Sequence, residues 1–290
     1  MKLYVYPYAS GSESAKLLAE RLSAMRIKLQ NSEYVHKPNN LIVNWGNSSC
    51  PYTENVLNPG AAIKNTVDKL RFFRLMLQKG QGGYLPRYWT SPADIPDDAF
   101  PIFCRTTTTG LDGAGIVIAN NRAELVDANL YTSFIGDSTE YRVTLFQDQV
   151  TDVQIKLPRA GETPHPTIRT YKNGWGFQRK PVPDSILAKI TAAARAAIDS
   201  SGLDFGGVDV LYSEGRAYIL EVNTAMGLEG DALERFAQAV EGYVLKKESS
   251  LSTPPPSPIL GVSVEEDPII EAVRKGYWTE VIQLAVARIA

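Results

Sequence analysis

Histidine and cysteine are scarce in this chain, two of each in 290 residues. With only His36 and His165, histidine-based acid–base or zinc chemistry has little to work with. Cys50 and Cys104 have no metal-ligand spacing and suggest no disulfide framework. That usage points to a reducing, intracellular setting. Neither sign of charge is in excess: the formal net charge is −2, so there is no electrostatic case for nucleic acid. No apolar run approaches the roughly 20 residues of a membrane-spanning helix. The opening Met1-Lys2-Leu3-Tyr4-Val5-Tyr6 reads as a first strand, not a signal peptide. A cytoplasmic protein that engages neither nucleic acid nor membrane is expected.

What is present is ordinary in bulk and specific in pattern. Hydrophobic residues make up 44% and charged residues 21%, as in a globular α/β protein of two or three small lobes. Strands are expected at 2–6 and 41–45, with a helix between them carried by Ala15, Leu18, Leu22 and Met25. Asn58-Pro59-Gly60 punctuates the chain. Asp68 to Leu77 reads as an amphipathic helix ending at Lys79-Gly80. An apolar strand ends at Arg105, a Thr/Gly-rich loop spans 106–115, and a second strand covers 116–119. No Gly-Lys-Ser/Thr follows, so the loop reads as a flap and not a P-loop. Segments 130–135, 141–146 and 150–156 form a three-strand meander. Residues 163–176 are an irregular loop. Helices are expected at 185–200 and 229–245, and Pro254-Pro255-Pro256 marks a linker. Beyond it, Asp267-Pro268 suits a helix start and 279–289 reads as a helix.

The most informative stretch is 202–224. It reads as two strands around the turn Ser213-Glu214-Gly215. A three-residue loop with Gly215 left-handed would place odd-numbered residues of both strands on one face. Asp209, Glu221 and Asn223 then converge. Two carboxylates and an amide carbonyl suit a hard cation such as Mg²⁺. The alternative is a buried polar cluster closed by its own hydrogen bonds. Carboxylates among Val, Ile and Leu are costly unless paired or metal-bound, which favours the metal.

This order of elements resembles the ATP-grasp superfamily of carboxylate–amine ligases over roughly residues 1–245. Asp209 followed by Leu220-Glu221-Val222-Asn223-Thr224-Ala225-Met226-Gly227 is similar to the family's Asp, then Glu-x-Asn, then small-Pro-Gly, with Met226 in place of proline. Asp68-Lys69-Leu70-Arg71 resembles the helix before the first ATP-binding strand of D-alanine–D-alanine ligases. Glu140-Tyr141-Arg142-Val143 resembles the acidic-x-Arg strand. Ile168-Arg169-Thr170 is similar to the Phe-Arg-Ser of ligases that add glutamate to a protein tail. Two departures stand out: Arg105 where the family usually has lysine, and a hinge at 130–135 without the usual acidic residue.

The resemblance implies an ATP-grasp fold with a small N-terminal α/β lobe and a C-terminal helical appendage. The expected divisions are 1–65, 66–128 with the lid, 129–245 with the metal site, a linker at 246–258, and the appendage at 259–290. It also implies ATP and Mg²⁺, two ions, with Mn²⁺ as a substitute. Asp209, Glu221 and Asn223 would hold the metal. Lys69 and Arg105 would hold phosphates, although a solvated helix lysine is the plainer explanation of Lys69. Thr109, Gly113 and Gly115 would let the lid backbone approach, and Tyr131 and Ser133 would meet adenine through backbone groups. Glu140 would accept from ribose hydroxyls, or stand as an exposed charge at the start of its strand. Arg142, Lys156 and Arg169 would serve the acyl phosphate and the tetrahedral intermediate, although a lysine that simply pairs with an acid is the plainer explanation of Lys156. Trp175, Tyr277 and Trp278 read as core or docking residues. The expected reaction joins a small-molecule or peptide carboxylate to an amine, releasing ADP and phosphate. A hydroxyl kinase and a silent nucleotide-binding module are the alternatives. Residues 259–290 could serve a protein partner or self-association.

Overall fold

The N-terminal lobe is a parallel sheet, β2-β1-β3-β4. The computed structural model describes residues 1–109 and 113–252. Its first strand, β1 (Lys2–Pro7), leads into α1 (Glu13–Arg21). Ser12 caps that helix by accepting from the Ala15 N–H at 3.3 Å. Ser23, in the left-handed region at φ +49°, ends the helix a turn earlier than its apolar spacing suggested. Met25 therefore lies in β2 (Met25–Arg26), paired with β1, and not on the helix. β3 (Asn40–Trp45) is buried throughout, as expected of an inner parallel strand covered on both faces. β4 (Val56–Leu57) closes the sheet.

Pro59 precedes α2 (Gly60–Val67), a helix absent from the sequence reading, which took Asn58-Pro59-Gly60 as punctuation alone. The expected division at residue 65 falls inside it. α3 (Lys69–Gln78) starts where its cap predicts, with the Arg71 N–H donating to Asp68 Oδ1 at 2.7 Å.

Two antiparallel sheets follow. One runs β5-β8-β6-β7, built from β5 (Tyr88–Trp89), β6 (Ile102–Arg105), β7 (Ile116–Ala119) and β8 (Leu130–Ser133). The other runs β11-β10-β9-β12-β13. Its strands are β9 (Thr139–Phe146), β10 (Gln149–Pro158), β11 (Trp175–Gln178), β12 (Phe205–Ser213) and β13 (Arg216–Asn223), with α4 (Asp184–Ser201) between β11 and β12. The expected meander is thus split. β8 pairs with β6, and the chain crosses between sheets at Gly136-Asp137, where Asp137 is left-handed at φ +41°. The division drawn at 128/129 separated β8 from its own sheet. The loop at 163–176 is also less irregular than expected, since it ends in β11.

Alternation places the five-stranded sheet. Tyr141, Val143 and Leu145 of β9, with Val208 and Val210 of β12, pack against Ile190, Ala194 and Ile198 of α4. The intervening residues face the other way. A second core joins the N-terminal lobe to the far end of that sheet. Trp45 stacks on Phe205 at 5.5 Å between centroids, and Phe236 meets Phe146 edge-on at 5.6 Å. Such pairs add about 0.5–1.5 kcal/mol each beyond burial. Phe236 belongs to α5 (Gly230–Ser252), which continues through residues assigned to a linker from 246. Lys246 to Ser252 contains no glycine or proline to stop it. The rest of the expected linker and the appendage lie outside the described residues. Residues Met1–Leu245 form one compact unit.

Asn58 ties the lobe to β12. Fully buried and at φ +58°, it donates from Nδ2 to the Phe205 carbonyl at 2.9 Å, and its Oδ1 accepts from the N–H groups of Asp204 and Phe205 at 2.7 and 3.1 Å. Asn58→Ala leaves these backbone groups without partners. It should lower unfolding stability by about 3 kcal/mol, read as a shift in the urea midpoint at unchanged slope.

Candidate active site

The odd-numbered register expected of the hairpin is present, reached by a different route. The turn has two residues, Glu214 and Gly215, both left-handed (φ +48° and +78°), and pairs Ser213 with Arg216. A two-residue turn alone would pair odd with even residues. A β-bulge between Asp209 and Val210 resets the ladder, so Asp209 stands opposite Glu221 and Gly207 opposite Asn223. Leu220 and Glu221, adjacent in sequence, consequently both line the same cavity.

That cavity, about 400 Å³, has the size of a small-molecule site. One face is a row of side chains, at least one from each strand of the sheet: Phe177 (β11), Lys156 (β10), Glu140 and Arg142 (β9), Asp209 (β12) and Glu221 (β13). The row is in register, with Phe177 opposite Lys156, and Asp209 between Arg142 and Glu221. Arg142 donates from Nε and Nη2 to Asp209 Oδ1 and Oδ2 at 2.6 and 2.7 Å. Lys156 Nζ donates to Glu140 Oε1 and to the Arg169 carbonyl. Burial pushes the Glu140 carboxyl up, to about 7, against the opposing pull of Lys156. Glu140 is thus tied to a buried lysine. Lys69, at the start of α3, is not a merely solvated lysine: its Nζ donates to Glu221 Oε2 at 2.7 Å and holds that carboxyl down, at about 2.

Arg105 and Arg169 differ from these. Among the described residues neither has a carboxylate partner. Arg105 donates only a long 3.4 Å bond from Nε to Thr132 Oγ1, and burial lowers its pKa, with Glu221 opposing. The Arg169 guanidinium lies over the Trp175 ring at 5.3 Å. The lining therefore carries five cations and three carboxylates in a chain of net charge −2. An excess of positive charge, with two guanidinium groups outside any ion pair among the described residues, suits a polyanion.

The metal candidates sit at the end of the row. Asn223 Nδ2 lies 3.4 Å from Asp209 Oδ2 and from Glu221 Oε1. Among the described residues no group of three or more His, Cys, Asp or Glu is placed to hold an ion. Two carboxylates and an amide suit an ion that takes its other ligands from water and phosphate, as Mg²⁺ does.

The remaining expected residues divide. Gly113 lines the cavity and its left-handed backbone (φ +75°) packs on Ile168 and Thr170, where a Cβ would come within 3.0 and 3.3 Å. Gly115 and Thr109 lie outside the lining. Gly115 (φ +73°) closes the loop, accepting from the Thr106 N–H at 2.9 Å. Thr109 is exposed, while Thr108 pins the loop to α3 by donating from Oγ1 to Asp68 Oδ2 at 2.5 Å. Ser133 lines the cavity. Tyr131 does not: it is fully buried, with its Oη donating to the Val126 carbonyl and accepting from the Ala128 N–H, both at 3.0 Å.

The sequence reading missed the apolar half of the cavity, formed by Phe103, Ile116, Phe134, Ile135, Leu211 and Leu220. Phe103 was within reach, since it stands two before Arg105 on one strand and so shares its face. Trp175, read as core or docking, lines the cavity instead.

No family model matches the chain. Over 185 residues it is 27% identical to a probable alpha-L-glutamate ligase of Photobacterium profundum, covering 60% of each chain. Its structure is similar to D-alanine–D-alanine ligase from Bacillus anthracis, with TM-score 0.60 and 14% identity over 87% of this chain and 97% of that one. It is similar as well to an ATP-grasp ligase complexed with a phosphomimetic variant of a minimal precursor, Mg and ADP: TM-score 0.60, 12% identity, 83% and 98% covered. The chain has the ATP-grasp fold. The likeness marked in the sequence extends to three dimensions. The chain spans about 60% of the length of curated relatives such as the first. Among the described residues no helix is long and apolar enough to cross a membrane.

In this ATP-grasp fold the Lys69–Glu221 pair makes an acid signature. Glu221 has a folded pKa of about 2 against an ordinary 4.5. Its stabilisation is present above the ordinary value and is lost as pH falls towards 2. Lys69→Met should flatten the decline in stability between pH 4.5 and 2, measured as urea midpoints of variant and wild type. Parallel declines would show the pair contributes nothing there.

Proposed function

We propose that the chain is an ATP-dependent carboxylate–amine ligase. The observation that carries this is the meeting, in a single cavity, of Asp209 and Glu221, with Asn223 beside them at 3.4 Å, and of Arg105 and Arg169, two guanidinium groups that have no carboxylate partner among the described residues. The names of the three relatives given above agree, each being a ligase. In this reading the apolar half of the cavity takes the nucleobase, with Ser133 at its edge. Lys69 and Arg105 hold the outer phosphates, and Gly113 brings the lid backbone over them. The oxygen donors fit Mg²⁺, Asp209 and Glu221 for one ion and Glu221 and Asn223 for a second; the same donors accept Mn²⁺. Magnesium would neutralise phosphate charge during transfer.

The substrate carboxylate attacks the γ-phosphorus, forming an acyl phosphate and releasing ADP. The amine nitrogen then attacks the acyl carbon, gives up a proton, and phosphate departs with the bonding electron pair. Arg142, Lys156 and Arg169 are cations near that carbon, suited to the charge that builds on its oxygen. Closure of the loop between β6 and β7 over the substrates would exclude water, which otherwise consumes the acyl phosphate. The relative's name makes L-glutamate the first amine to test, with small-molecule and peptide carboxylates as partners. The intact triad weighs against a silent module.

A screen of amines and carboxylates for Mg²⁺-dependent ADP release, with product masses, tests the reading. An amide product supports it; a phosphorylated alcohol as the only product would replace it with a kinase. Arg105 gives a sharper check. Arg105→Ala should weaken ATP by about thirty- to over a hundredfold, and AMP far less. Because no described carboxylate is stranded by the loss of this guanidinium, the melting temperature should not fall. Equal ATP affinity in calorimetry would move the phosphate site elsewhere.

A further inference from the structure

Phe177 is a phenylalanine outside the apolar cores. It belongs to none of the three clusters of buried side chains and lines the cavity instead. The Arg142 guanidinium lies over its ring at 4.2 Å from the centroid, and the Lys156 ammonium at 4.6 Å. Both are well inside the range of a cation–π contact. Two residues earlier on the same strand, and so on the same face, the Trp175 ring carries Arg169. β11 thus presents two aromatic rings to three cations.

We propose that Phe177 is a positioning residue, its ring face holding Arg142 and Lys156 in the cavity, as Trp175 holds Arg169. This rests on the ATP-dependent reading of the cavity and adds to it the element that aims its cations. The need is physical. Arg142 and Lys156 are like charges converging on one site, where they must remain available to a phosphoryl group. A further carboxylate would steady them and cancel their charge. An aromatic face attracts a cation through its quadrupole and leaves the formal charge intact. It also excludes water from one side of each group, which strengthens the field they exert. The backbone favours the arrangement, because Phe177 is registered directly opposite Lys156 in the β10–β11 ladder, where cross-strand side chains meet.

Two measurements test this. In the ligand-free protein, the Arg142 Nε–H resonance should be displaced by the ring current of Phe177, and Phe177→Leu should abolish the displacement. Calorimetry with Mg·ATP and Mg·ADP then reads the consequence. Phe177→Leu should lose about tenfold in ATP affinity and less for ADP, while Phe177→Tyr should retain wild-type binding. Fluorinated phenylalanines at position 177, of nearly unchanged shape, should weaken ATP in step with the number of fluorines. Absence of the ring-current displacement in wild type overturns the inference whatever the protein binds. So does ATP binding that is unchanged in Phe177→Leu or indifferent to fluorination, since packing alone would then explain the ring. A displaced resonance in a wild type that binds no ATP would sustain the positioning and overturn the nucleotide reading instead.

Discussion

The Arg142–Asp209 fork is the interaction on which the site depends. It joins neighbouring strands β9 and β12 by two parallel hydrogen bonds, and the Asp209 side chain is only 4% exposed. A carboxylate so placed is tolerable only when paired, and breaking such a pair costs about 3–5 kcal/mol because a buried charge is left uncompensated. The fork fixes the centre of the row. On one side Arg142 reaches Phe177; on the other Asp209 lies opposite Glu221, which Lys69 holds from α3. Two strands distant in sequence, β9 and β12, are therefore joined by one planar contact whose geometry a lysine could not reproduce.

The site separates its charges into two groups. Lys69, Arg142 and Lys156 are matched by carboxylates and can be held in a folded protein without a ligand. Arg105 and Arg169 have no carboxylate within an ion pair among the described residues: a hydroxyl and the more distant Glu221 offset the desolvation of Arg105, and an indole face that of Arg169. Unmatched charge weakens a fold and strengthens recognition, because the ligand supplies the missing partner. The net positive lining of a slightly acidic chain follows from that division.

Much of this was legible in the sequence, and the illegible parts have identifiable causes. Asp209, Glu221 and Asn223 declared themselves as oxygen donors spaced two apart in apolar strands. Alternation likewise put Glu140 and Arg142 on one face. The bulge at Asp209 was not legible, since the inserted residue, Leu220, continues the apolar run Tyr218-Ile219; a turn read as three residues instead of two offsets the bulge, and the two effects cancel. β8 could not be assigned to its sheet because strand pairing is a long-range choice that local pattern does not encode. Tyr131 and Ser133 stand two apart on β8 and share a face by alternation, so pattern alone could not say that Ser133 lines the cavity while Tyr131 is buried. α2 was hidden by a proline and a glycine that start a helix as readily as they break one. Trp175 falls in the stretch 163–176 that reads as loop, and Phe177 just beyond it among glycine and polar residues, so the aromatic face of β11 was invisible. Whether a cation is paired is a property of distance, and no spacing rule distinguishes Arg105 from Arg142.

The in-register row also sets an order of assembly. Its members come from strands spread between Glu140 and Glu221, and Asp209 enters only with β12. As the chain leaves the ribosome, amino end first, Arg142 and Lys156 emerge more than fifty residues before the carboxylate that Arg142 will grip. Until then β9 lacks the strand that pairs with it on that side, and its guanidinium lacks that carboxylate. The row of charged side chains therefore has no complete form along the way: β13, the strand that completes the hairpin and the edge of the five-stranded sheet, is also the one that brings Glu221.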